Sequence, residues 1–139
     1  LNVIQQHIDE GLNNFADKRF DIVIMSQTNQ VLKEPKKALL EVTRIGKECI
    51  VTIPNFGQLT TRLKLLFGGK MPITGSLPNQ WYDTENIHLC TIKDFEVLCR
   101  DCEINILNKR FFNTSGQESA LAKTSPNLFA STAIYKISK

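Results

Sequence analysis

Phe20-Asp21-Ile22-Val23-Ile24-Met25-Ser26 is the stretch on which the fold turns. It is an apolar, β-branched run with no polar alternation, which fits a strand buried on both faces, as in a parallel sheet. Downstream, Glu34 to Ile45 predicts an amphipathic helix. Pro35 falls in its first turn, where the missing N–H costs nothing. Ala38, Val42 and Ile45 share one face, and Gly46 ends the helix. Cys49-Ile50-Val51-Thr52-Ile53 reads as the next buried strand, closed by Pro54. Strand, helix, strand in this order argues for an α/β domain.

Working outward, Gln58 to Phe67 predicts a second helix with Leu59, Leu63 and Leu66 inward, broken by Gly68-Gly69. Met71 to Cys90 reads as a long polar-aromatic loop. Thr91 caps a third helix, with Asp94 in its first turn and Ile92, Phe95 and Leu98 on the core side. Ile104 to Phe111 and Ala130 to Ile137 are two final strands. The segment between them, Thr114 to Asn127, is rich in Ser, Thr, Gly and Gln and is expected to be a helix-free loop. Strands so joined must form an antiparallel hairpin, because a parallel crossover needs a helix or its equivalent. At the other end, Val3-Ile4 is a short strand candidate and Ile8 to Leu12 a loop. The expectation is one α/β domain over residues 1–139, with a mostly parallel sheet ending in an antiparallel hairpin.

The bulk numbers agree with an ordinary globular domain: 139 residues, 42% hydrophobic and 22% charged. The net charge of +3 is spread along the chain and points to neither nucleic acid nor membrane. No run approaches the roughly 20 apolar residues of a membrane helix, and the start does not read as a secretion signal. The four cysteines, Cys49, Cys90, Cys99 and Cys102, are read as free thiols in a reducing cytoplasm. His88-x-Cys90 and Cys99-x-x-Cys102 offer zinc-type ligands, but Cys99 and Cys102 fall at i, i+3 in a helix. That is the spacing of a core-facing pair, and no metal site is expected.

Three segments resemble class I, S-adenosylmethionine-type methyltransferases. Phe20 to Thr28 resembles the fourth strand and its exit, Glu41-Val42-Thr43-Arg44-Ile45-Gly46 the helix that follows, and Ile53-Pro54-Asn55-Phe56-Gly57 the exit of the fifth strand. A narrower set resembles the bacterial MetW family of methionine biosynthesis: Asn2 to Gln6, Gly69-Lys70-Met71-Pro72, Leu77 to Thr84, Asn86 to Thr91 and Asn127 to Ala130. The resemblance implies a Rossmann-like three-layer sandwich with strand order 3-2-1-4-5-7-6. Val3-Ile4 would be strand three and Phe20 to Ser26 strand four. The first strands, the glycine loop and the acid for the cofactor ribose have no counterpart in these residues, which therefore read as the C-terminal part of such a domain. The chain also opens without an initiator methionine. These residues alone are expected to fold poorly and to bind S-adenosylmethionine negligibly. About 40–60 upstream residues, two βα units, would restore both.

Ligands of open α/β sheets sit at the carboxyl ends of strands. That places His7, Ile8, Ser26, Gln27 and Asn55 as cofactor-side candidates, although His7 stands where the family usually has an aspartate. Gln80, Trp81, Tyr82, Asp83 and His88 lie on the long loop and are candidates for a substrate or partner surface. Arg62, Lys64 and Lys70 are read as a solvated basic face, with an anionic contact as the alternative. The resemblance implies S-adenosylmethionine as cofactor and homoserine O-acyltransferase as partner. It leaves two functions open: a methyltransferase-like enzyme, or a non-catalytic accessory protein of that acyltransferase. Methyl transfer rests largely on alignment, so no catalytic residue is assigned.

Overall fold

A computed structural model describes residues 8–75 and 77–139. The expected strand at Val3-Ile4 and the candidate His7 lie outside the described residues. The elements are β1 (Phe20–Ser26), α1 (Pro35–Ile45), β2 (Gly46–Pro54), α2 (Leu59–Gly68), α3 (Ile92–Asp101), β3 (Asn105–Phe112), α4 (Ala120–Thr124), α5 (Pro126–Phe129) and β4 (Thr132–Ser138). A 3₁₀ turn at Ile8–Glu10 precedes them.

The sheet order is β1-β2-β4-β3, which corresponds to strands 4-5-7-6 of the fold implied by resemblance. The expectation of a mostly parallel sheet is corrected. Among the described residues only β1 and β2 pair in parallel, while β2–β4 and β3–β4 are antiparallel. The cause is the position of β4. It runs against its neighbours and lies between β2 and β3, so one reversed strand makes two antiparallel ladders. The final hairpin is present as expected. Its connection is not helix-free, because α4 and α5 lie within it; Ser119 caps α4 by accepting from Ala122 N–H at 3.1 Å.

Register explains the core. Cys49, Val51 and Ile53 of β2 stand opposite Ile137, Tyr135 and Ala133 of β4, and all six are buried. Helices α1 and α3 cover this face with Ala38, Leu39, Val42, Ile92, Phe95 and Cys99. The rings of Phe95 and Tyr135 lie 4.8 Å apart, and the Tyr135 hydroxyl donates to Glu96 Oε1 at 3.0 Å. All four cysteines are free. Burial pushes the thiols of Cys49 and Cys90 up to about 11 and that of Cys99 to about 12. Among the described residues the domain has two layers, not three. On the outer face Ile22 and Ile24 of β1 are 53% and 69% exposed, so β1 is not buried on both faces.

Gly46 ends α1 as expected, with φ −98°, and the chain enters β2 directly. A Cβ there would lie 2.8 Å from Val23 Cγ2, so glycine lets β2 approach β1. Leu59, Leu63 and Leu66 do not face inward. Of α2's residues only Thr61 is buried, and no other element packs broadly on this helix.

Candidate functional site

The carboxyl ends of β1, β2 and β3 and the start of β4 meet at one rim. A cavity of about 400 Å³ opens there, lined by Gln27 after β1, Pro54 at the end of β2, Phe112 to Thr114 after β3, and Ser131 and Thr132 before β4. Gly75 and Pro78 of the long loop close one side. The volume is that of a small-molecule site. Among the described residues no lining side chain is ionisable, so this part of the wall offers neutral hydrogen bonding and apolar contact.

Ser26 and Gln27 sit where the strand-end rule puts them. Gln27 has φ +49°, a conformation that costs a non-glycine residue roughly 1–2 kcal/mol. The turn is held by Thr28 Oγ1, which donates to Ser26 O at 3.0 Å, and by Val31 N–H on Thr28 O. Immediately after come Asn29 and Gln30. Both are buried, and the oxygens Asn29 Oδ1 and Gln30 Oε1 have no donor among the described residues. A buried acceptor left unpaired costs about 1–3 kcal/mol. The sequence reading stopped at the strand's last residues and missed this pair. The two adjacent amides in the turn were the available signal.

The other candidates divide. Ile8 packs against the core and does not line the cavity. Asp9 beside it accepts from Lys33 N–H and Glu34 N–H, both at 3.3 Å, and so ties the 3₁₀ turn to the segment just before α1. Asn55 is a structural tie. Its Nδ2 donates to Ala130 O at 2.7 Å and Asn127 O at 3.2 Å, and its Oδ1 accepts from Gly57 N–H at 2.9 Å.

On the long loop, Trp81 and Tyr82 pack edge to face, with ring centroids 5.6 Å apart, and both are more than 70% exposed. Asp83 N–H donates to Gln80 O, which closes a turn at the loop's tip. Ile87 N–H and His88 N–H both donate to Gln30 O at 3.0 Å. The loop is thereby fastened to the β1 exit, and the cofactor-side and partner-side candidates become neighbours. Arg62, Lys64 and Lys70 do not act together. Arg62 Nε turns to Gly57 O at 2.6 Å, while Lys64 Nζ reaches Ile73 O at 2.8 Å. Among the described residues no group of three or more His, Cys, Asp and Glu side chains converges as a metal site. No helix among them is long and apolar enough to cross a membrane.

The family described as "Methionine biosynthesis protein MetW" matches residues 1–137. This chain belongs to the MetW family. It is 29% identical over 135 residues to the bifunctional methionine biosynthesis protein MetXA/MetW of Rhodopirellula baltica, covering 96% of this chain but 22% of that protein. The MetW-family chain thus spans a little over a fifth of the curated relative it matches. Among solved structures it is similar to a SAM-dependent methyltransferase of Archaeoglobus fulgidus, with TM-score 0.63, 13% identity, and 99% of this chain and 67% of that one covered. A SAM-dependent methyltransferase of Thermotoga maritima aligns with TM-score 0.57 and 19% identity over 94% of this chain and 60% of that one. At such identities the likeness is one of fold: a class I methyltransferase-like α/β sandwich with a mixed sheet.

Proposed function

We propose that this chain serves methionine biosynthesis as a methyltransferase-like module that takes S-adenosylmethionine at the carboxyl ends of β1 and β2. One observation carries the reading: the buried acceptors of Asn29 and Gln30, unpaired among the described residues, stand two and three positions beyond Gln27, which lines the cavity. Such acceptors suit a ligand that brings N–H and O–H groups, as S-adenosylmethionine does with its adenine amine, ribose hydroxyls and ammonium. When bound, that ligand supplies an electrophilic methyl group. The chain's part is to bind and align: Gln27 lines the cavity, with Gly75 and Pro78 of the long loop on one side of it. No described lining residue is a carboxylate for the ribose, so these residues account for part of the ligand's contacts.

The test is calorimetric titration of S-adenosylmethionine into the protein as its gene encodes it. Saturable binding is expected, and Gln27→Gly should weaken it about threefold to tenfold, the worth of roughly one hydrogen bond. Glycine adopts φ +49° freely, so the loss reports the side chain and not the backbone. Absence of binding by the unaltered protein sinks the reading.

A second reading is an accessory role with homoserine O-acyltransferase, the partner that the family resemblance implies. The exposed Trp81–Tyr82 pair favours it. In the Rhodopirellula baltica relative, MetXA and MetW form one bifunctional protein, which supports the same association here.

A further inference from the structure

Large apolar side chains are exposed unevenly over this molecule. Leu59, Leu63, Leu65, Leu66 and Phe67 of α2 are all exposed, the last two at 73% and 81%. Met71 and Ile73 follow at the exit of the helix, then Trp81, Tyr82, Ile87 and Leu89 along the loop. Lys64 Nζ on Ile73 O draws the helix exit back against α2. Between the exit of the helix and the loop lies a groove of about 130 Å³, lined by Phe56, Met71, Pro72, Leu77, Trp81 and Ile87. The exposed apolar residues of helix, exit and loop follow one another along the chain from Leu59 to Leu89.

Two physical facts favour a cover over these residues. Clustered exposed apolar side chains rimmed by polar ones mark interaction sites. In addition, α2 has 10 residues and no broad packing, whereas isolated helices shorter than about 12–15 residues are marginal in water. Charge indicates what covers it. From Gln58 to Ile73 the chain carries Arg62, Lys64 and Lys70 and no acidic residue. The complement is an apolar protein patch with an acidic rim.

We infer that α2 and the Trp81–Tyr82 loop form the docking surface for homoserine O-acyltransferase, which meets it with an apolar, acid-rimmed patch. This rests on the accessory reading above and assigns it a place. It gives the acyltransferase a route to the cofactor side, because the docked loop is hydrogen-bonded to Gln30 at the β1 exit.

The experiment measures binding of the acyltransferase from the same genome to the full protein by surface plasmon resonance. The unaltered protein should bind, more weakly as salt is raised. Leu66→Ser with Phe67→Ser should lower affinity at least about tenfold with the circular dichroism spectrum unchanged. Lys64→Glu with Lys70→Glu should slow association and flatten the salt dependence. Leu121→Ser, an exposed apolar site on α4, should leave binding unchanged. No binding by the unaltered protein overturns the accessory reading itself. Binding that survives both paired variants overturns only the assignment of the surface, and so does an effect of Leu66→Ser with Phe67→Ser confined to self-association.

Discussion

At the scale of single residues, Asn55 shows how a correct placement can carry the wrong role. It does follow a strand, as the sequence indicates, but its side chain turns away from the rim and ties β2 to α3 and to the segment around α5. It donates to Ala130 O and Asn127 O and accepts from the N–H of Gly57. Asn55→Ala would leave these buried groups without partners. The expected cost is about 2–4 kcal/mol, at 1–3 for each buried group left unpaired. Urea denaturation measures it; a loss under about 1 kcal/mol, within the range of an ordinary surface change, would show the ties to be dispensable. The position of Ser26 and Gln27 at the end of β1 was legible because the strand-end rule depends only on where a strand stops. The acceptors of Asn29 and Gln30 were not, because burial of a turn amide depends on what folds over it. Here the cover includes Ile87 and His88, nearly sixty positions away in the chain.

Among elements, α1 was legible almost to the residue, because Pro35 and the stripe Ala38, Val42 and Ile45 are local signals that the buried face bears out. What holds the preceding segment to it was not local. Arg44 Nη2 donates to Leu12 O and Nη1 to Phe15 O, and Glu41 accepts from Arg44 and from Leu12 N–H. The Arg44 guanidinium, with help from Leu12 N–H, holds the Glu41 carboxyl below its usual value of 4.5. A carboxyl whose folded pKa is depressed contributes stability above its unfolded pKa and loses it as pH falls through the folded one. Glu41→Gln should therefore cost about 1 kcal/mol at pH 7, the scale of one hydrogen bond, and the gap to the unaltered protein should close below pH 4.5. Thermal melts of both proteins across that range decide it; a gap independent of pH removes the ionic part of the explanation. Helix α2 is the opposite case. Its leucine spacing correctly announced an apolar face, but periodicity does not say whether the cover comes from the same domain, and here the face turns outward.

For the whole molecule, the order of strands was implied by resemblance, and the mixed pairing follows from a single strand. Three strands run one way, yet β4 between β2 and β3 turns two of three ladders antiparallel. The apolar run of β1 was read as buried on both faces. Register places Val23 and Met25 on the covered side and Ile22 and Ile24 on the other, opposite Glu48 and Ile50. A parallel pair normally has helices on both faces, so this open face should behave as exposed apolar surface. The 139-residue chain is expected to bind a hydrophobic dye such as ANS, and Ile24→Thr should reduce that fluorescence. Threonine keeps the β-branch that suits a strand. Ile24 is already 69% exposed, so the melting temperature should move by no more than about 2 °C, the shift produced by roughly 0.5 kcal/mol in a domain of this size. A large fall in melting temperature would mean that Ile24 is covered in solution. Dye fluorescence unchanged by Ile24→Thr would place the exposed apolar surface elsewhere, on α2 and the aromatic loop, and Leu66→Ser with Phe67→Ser would then be the pair that abolishes it.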